Sequence, residues 1–168
     1  MKKLTESEAN QWMTSLGLAP TDSYIRNRWN APNGLRYSCL DKEAFRQPLV
    51  ICLADFVAES EVLISIFEHG IWSSFEIPYL WHLVQRDGSV PEEIDYVNYV
   101  FRTEENERLF SVLFLMLSFG WGFMLIAKEK KFAYIHDHDD GLVAICEDQE
   151  IIGYLKDRFD KFGFKQFT

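Results

Sequence analysis

The sequence predicts an α/β fold of the α+β kind. It reads as a single domain over residues 1–168, with a mixed sheet of about five strands and helices packed around it. Three observations lead there. Of the 168 residues, 48% are hydrophobic and 15% aromatic, which is enough area for one sizeable core and too much for a disordered chain. Short β-branched runs of strand length alternate with longer apolar runs at helical spacing. Cap and turn residues fall between them, so residues 61–168 read as strand, helix, strand, helix, three strands, helix around one sheet. Residues 1–60 read as a mainly helical part packed onto that core.

Each element has its own warrant. Thr5-Glu6-Ser7-Glu8 is a capping box, in which a hydroxyl and a carboxylate each engage a first-turn N–H that the helix itself leaves without an acceptor; Gly17 ends that helix after Leu16. Pro20, Pro32 and Gly34 mark residues 19–34 as loop, with a short helical turn accommodated around Tyr24 to Trp29. Asp41 opens a helix to about Ala58, because Phe45, Leu49, Cys52 and Phe56 recur at helical spacing; Pro48 kinks or starts it. Val62, Ile64 and Ile66 are β-branched and place a strand at 61–67. Ser73 to Glu76 is a second capping box, and the helix after it carries Ile77, Leu80, Trp81 and Val84 on one stripe, ending before Gly88. A strand follows at about 96–101.

Residues 109–127, LFSVLFLMLSFGWGFMLIA, hold no charged side chain and are about as long as a membrane span. Gly120 and Gly122 around Trp121 divide the run into a helix and a strand. Upstream, Thr103 caps a helix over about 104–119, and Glu104, Glu105 and Glu107 sit at the positive end of its dipole. That helix is apolar nearly all round from Leu109 to Phe119, so it is expected to be covered on more than one side, between the sheet and another layer. Strands at 122–127, 132–136 and 142–146 follow, the first two joined by the charged turn KEKK. Asp148 caps a last helix to about Phe162, which Gly163 ends.

Charge and cysteine usage narrow the function classes. There are 26 Asp and Glu against 17 Lys and Arg, a net charge of -9 that repels phosphates and argues against nucleic-acid binding. The same excess favours a partner with a basic surface. Cys39, Cys52 and Cys146 are odd in number with no C-x-x-C pair, which fits thiols in a reducing compartment. The start MKKLTESEANQW has no apolar stretch of the secretory kind, so a cytoplasmic location with no membrane role is expected. No G-x-G-x-x-G and no phosphate-loop lysine appear, and no cofactor is expected. A homodimer through an exposed sheet edge is compatible with the pattern.

The one run that suggests chemistry is His136-Asp137-His138-Asp139-Asp140-Gly141. On extended backbone His136 and His138 face one way and Asp137 and Asp139 the other. Two readings stand. In one, the run is the turn of a hairpin between FAYI and LVAI, where Asp and Gly suit tightly turned backbone. In the other, His136 and His138 ligate a metal with Asp139 or Asp140 beside them, and a bound water with its pKa lowered to about 7 performs hydrolysis. The other histidines, His69 and His82, fall in no recognisable ligand spacing, and no serine or cysteine lies in a nucleophile motif. Trp72, between a strand end and a helix cap, is a candidate binding anchor.

GIWSSFEIPYLWHLVQRDG, LMLSFGWGFMLIA and HDHDDGLVAI together resemble an uncharacterised family of small bacterial cytoplasmic proteins with a G-[IV]-W … F-G-W … H-D-[DE] pattern, over residues 60–147. This chain has His138-Asp139-Asp140 where that pattern has His-Asp-Glu, keeping an acid at the third place. The resemblance implies an α/β fold and a bacterial cytoplasmic setting, and it attaches no activity. In type, though not in motif, the chain is also similar to immunity proteins that neutralise antibacterial toxins. With no catalytic constellation, an acid excess and many aromatics, the expectation is a non-enzymatic protein that binds a basic toxin or enzyme. Asp137, His138, Asp139, Asp140 and Trp72 are the expected contacts. The alternative is the metal-dependent hydrolase built on His136 and His138.

Overall fold

The computed structural model describes residues 1–20, 24, 35–38, 53, 57, 59–68, 97–129, 132–137, 141–146 and 148–166. Among them, eight strands join in one sheet: β1 (Lys2–Leu4), β2 (Leu35–Ser38), β3 (Val62–Glu68), β4 (Val97–Phe101), β5 (Gly122–Ala127), β6 (Phe132–His136), β7 (Gly141–Ile145) and β8 (Lys165–Gln166). Their order is β1-β4-β3-β5-β6-β7-β2-β8. The helices among the described residues that carry the packing are α1 (Glu6–Ser15), α2 (Asn106–Phe119) and α3 (Gln149–Lys161).

Two expectations about the sheet are corrected. It has eight strands where about five were expected, and every pairing is antiparallel where a mixed sheet was expected. The strand-helix-strand order β4-α2-β5 suggests parallel neighbours. In the fold β3 lies between β4 and β5 and runs antiparallel to both. The strands that sequence reading missed are β1, β2 and β8, of two to four residues each, too short for a period of two to show. Residues 1–60 therefore contribute strands as well as helix. Tyr37 anchors β2: its buried ring meets Phe159 edge-on at 4.9 Å, and its hydroxyl donates to Asp160 Oδ1 at 3.1 Å. Burial, with the Asp160 carboxylate beside it, pushes that hydroxyl well above the usual tyrosine range.

Alternation along the strands sorts the core into two layers. Val62, Ile64, Tyr99, Phe101, Phe123, Leu125, Phe132 and Tyr134 face α2 and α3, which bring Leu109, Leu113, Met116, Leu155 and Phe159. Leu63, Val100, Met124, Ile126, Ala133 and Ile135 face the other way, onto Ala9 and Met13 of α1. β5 and β6 are buried on both sides, which is why GFMLIA reads as a continuous apolar run instead of an alternating one. No helix among the described residues is long and apolar enough to cross a membrane.

The helix ends follow local chemistry. Thr5 N–H donates to Glu8 Oε2 at 2.8 Å and Glu8 N–H to Thr5 Oγ1 at 3.2 Å, completing the expected box. Thr5→Ala should lower stability by about 1 kcal/mol in a urea titration; no change would mean the box contributes nothing. Gly120 closes α2 at φ 63, with Trp121 N–H reaching back to Met116 O at 3.0 Å. Asp148 caps α3 through Glu150 N–H at 2.8 Å. Thr103 does not cap α2 as expected. It opens a single 3-10 turn, Thr103–Glu105, and the Glu105 carboxylate takes the Arg102 N–H at 3.1 Å.

Candidate functional site

The sheet corner where β1, β4 and α1 meet forms an open cavity of about 780 Å³. The register that sets Lys2 opposite Val100 brings β1 and the end of β4 together under α1. Leu4 and Val100, both buried, supply its apolar lining. From α1 come Glu8, Gln11, Trp12 and Ser15, residues that helical spacing gathers on one side. Glu61 closes one end, just before β3, and the turn after β4 adds Arg102, Glu104 and Glu105.

Trp12 fixes the wall: its indole Nε1–H donates to Glu61 Oε1 at 2.8 Å. Lys128 Nζ lies 3.2 Å from the same oxygen. Glu8 accepts from the Thr5 backbone and from Lys2 Nζ at 3.2 Å, and these bonds hold its carboxyl below the usual range. Glu105 pairs with the amine of Met1 and lies 3.7 Å from Arg108 Nη1. Arg102 and Glu104 are mostly exposed and only 3.9 Å apart at closest, a loose pair that a competing charge can open. Four carboxylates and an indole stand around the apolar lining, but Lys2, Arg102, Lys128 and the Met1 amine already pair with those carboxylates, so a guanidinium or ammonium on an apolar stem finds a carboxylate only by displacing one of these pairs, the loose Arg102–Glu104 pair first.

A second carboxylate locks the neighbouring turn. Glu129, in the KEKK turn, bonds the hydroxyl of buried Ser60 and takes Glu61 N–H at 2.9 Å, while Ser60 Oγ accepts Glu129 N–H at 3.2 Å. Partial burial alone would raise the Glu129 carboxyl, but the bonds from Ser60 and from backbone N–H groups outweigh it, so it sits below its ordinary value of 4.5. A depressed carboxylate contributes stability above its unfolded value and loses it as pH falls through the folded one. Glu129→Gln should therefore flatten the loss of stability below pH 4.5, at a cost near neutrality of about 1 kcal/mol or less, since water screens this exposed group. Unchanged acid unfolding would remove Glu129 from that linkage.

Of the residues singled out in the sequence, His138, Asp139, Asp140 and Trp72 lie outside the described residues. Asp137 is half-buried and bonded within the hairpin: its Oδ1 accepts from Gly141 N–H at 2.8 Å and its own N–H donates to Gly141 O at 3.0 Å. That is the turn chemistry expected of the segment. His136 is 3% exposed and belongs to the aromatic layer, with its ring stacked near parallel to Tyr134 and its Nδ1 3.4 Å from the Tyr134 hydroxyl. Among the described residues no three His, Cys, Asp or Glu side chains gather as a metal-binding group. Cys146 is buried, as its apolar surroundings suggest. Trp12 and Glu61 went unnoticed in the sequence. The spacing Glu8, Trp12, Ser15 is a readable helical face, but a bond spanning 49 positions leaves no local signal. No family model, no curated protein and no solved structure matches the chain.

Proposed function

We propose that the chain is a non-enzymatic binding protein that neutralises a basic toxin or enzyme by direct contact, as immunity proteins do, and that it works in the bacterial cytoplasm. The observation that carries this reading is the carboxylate-rimmed cavity at the β1-β4-α1 corner, with Trp12 in its wall. A lysine or arginine of the partner enters it, displaces the loose Arg102–Glu104 pair and lays its stem on Leu4 and Val100. The net charge of -9 draws a basic partner in and speeds encounter more than it strengthens the final complex.

The test begins with capture of the partner from host lysate by the tagged full chain, followed by binding kinetics at two salt concentrations. A basic polypeptide should be recovered in stoichiometric amount, with a salt-dependent on-rate. Glu104→Lys should weaken its affinity by about tenfold, or ~1.4 kcal/mol, while leaving the fold intact. Binding indifferent to Glu104→Lys and to salt would place the interface elsewhere. A partner with an acidic contact surface would overturn the reading.

A further inference from the structure

An exposed ring such as Phe114, 50% exposed on the outer side of α2, is ordinary in a folded chain, whereas a buried polar group without a partner calls for an explanation. Four polar side chains are buried among the described residues: Ser60, Ser65, Asn98 and His136. Ser60 bonds Glu129, and His136 has the Tyr134 hydroxyl 3.4 Å from its Nδ1. Ser65 and Asn98 are 0% and 1% exposed, and among the described residues neither Ser65 Oγ nor Asn98 Oδ1 has a hydrogen-bond partner. The two face each other as register partners across β3 and β4. Alternation from Leu63 and Val100 puts both side chains in the layer that packs on α1. Leu4 stands opposite Asn98 and Met124 opposite Ser65, so the row continues in apolar side chains on either side.

We infer that Ser65 and Asn98 form a buried binding site for one water molecule. Opposed side chains on neighbouring strands start about 5 Å apart at Cβ, so one small molecule between them reaches both groups. The Ser65 hydroxyl donates to the water, and the water donates to Asn98 Oδ1. Two bonds are the lower end of the about two to four that a buried water makes. Chemistry and size select the occupant. An acceptor left dry in an apolar layer is costly, and water is the group that most often satisfies one. The side chain of Ser65 is about two heavy atoms shorter than those of Leu4 and Met124 in the same row, a difference of about one water molecule. The water ties β3 to β4 where the layer otherwise offers only apolar contact. Neither residue lines the corner cavity, so the site lies behind its Leu4 and Val100 lining, and the inference stands apart from the proposed function.

Magnetic relaxation dispersion of water oxygen on the full chain tests it, because it counts internal waters that stay longer than the protein takes to tumble. The wild type should hold one more such water than the double variant Ser65→Val/Asn98→Leu. That variant removes both polar groups together and keeps similar shapes, a change that cores tolerate. A crystal structure of the wild type serves if the double variant fails to fold. Density for one water within hydrogen-bond reach of both Ser65 Oγ and Asn98 Oδ1 is then expected. Equal dispersion from the folded double variant would overturn the proposal, as would density showing Ser65 Oγ bonded directly to Asn98 Oδ1 with no water between them.

Discussion

Trp121→Ala is expected to lower the unfolding free energy by about 3–5 kcal/mol, the range for deleting a large ring from a packed core. Trp121 is 1% exposed. Its ring stacks on Phe119 at 5.8 Å with an interplanar angle of 23°, and it belongs to the core layer beneath α2 and α3. The residues around it leave little room to collapse into the cavity. Gly120 holds the left-handed turn that ends α2, Gly122 starts β5, and both backbones are pinned by helix or ladder bonds. Urea unfolding followed by far-UV circular dichroism measures the loss. A change below about 1 kcal/mol would mean that the ring does not pack as described.

Gly122→Ala is expected to cost about 1–3 kcal/mol by overpacking. A Cβ there would lie 2.7 Å from Glu68 Cβ and 2.8 Å from Phe67 Cε2. The phenyl edge can swing aside, but a Cβ moves only with its backbone, and the β3 backbone is held by the ladder. This contact sits where the β3-β5 register shifts between Ile66 and Glu68, so the bulge and the missing side chain go together. The same substitution in a Glu68→Gly background should cost less, because the obstructing Cβ is gone. An equal cost in both backgrounds would assign the effect to the Phe67 ring instead of the Glu68 Cβ, since strand propensity by itself favours Ala over Gly.

Gly122 also shows what a sequence does and does not reveal. The pair of glycines around Trp121 marked the break between α2 and β5. Gly120 played the stop role that its position suggested, whereas the need for Gly122 arises from β3, some fifty residues earlier. The same division holds elsewhere. The Thr5-Glu8 box and the Asp148 cap were legible because a cap bonds two or three residues away. Glu129 read as one more charge in a solvated turn, yet its partners are Ser60 and Glu61, brought near by the β3-β5 pairing. Tyr37 fell between the loop at 19–34 and the helix opened by Asp41 and was assigned to neither; its contacts with Phe159 and Asp160 and the pairing of β2 with β7 and β8 make it part of an inner strand. Asp137 lies in the β6-β7 hairpin, as the turn reading of its segment expected, with its side chain bonded to Gly141, and it is not among the residues that line the cavity. The cavity at Trp12 was not anticipated, because it combines α1, β1, β4 and the approach to β3.

The sequence by itself determined the α/β class, the boundaries of α1 and α3, the end of α2 at Gly120, the strands from β3 to β7 and the division of the uncharged 109–127 run. All of these rest on periodicity, capping and glycine placement, interactions that span a few residues. Tertiary structure alone decided the fully antiparallel order, the recruitment of β1, β2 and β8, the exposed side of α2 and the cavity beside Trp12. Those depend on which strand edge is still unpaired when a segment arrives and on which face finds a neighbour. That is a property of the assembled chain, and no local window of residues contains it.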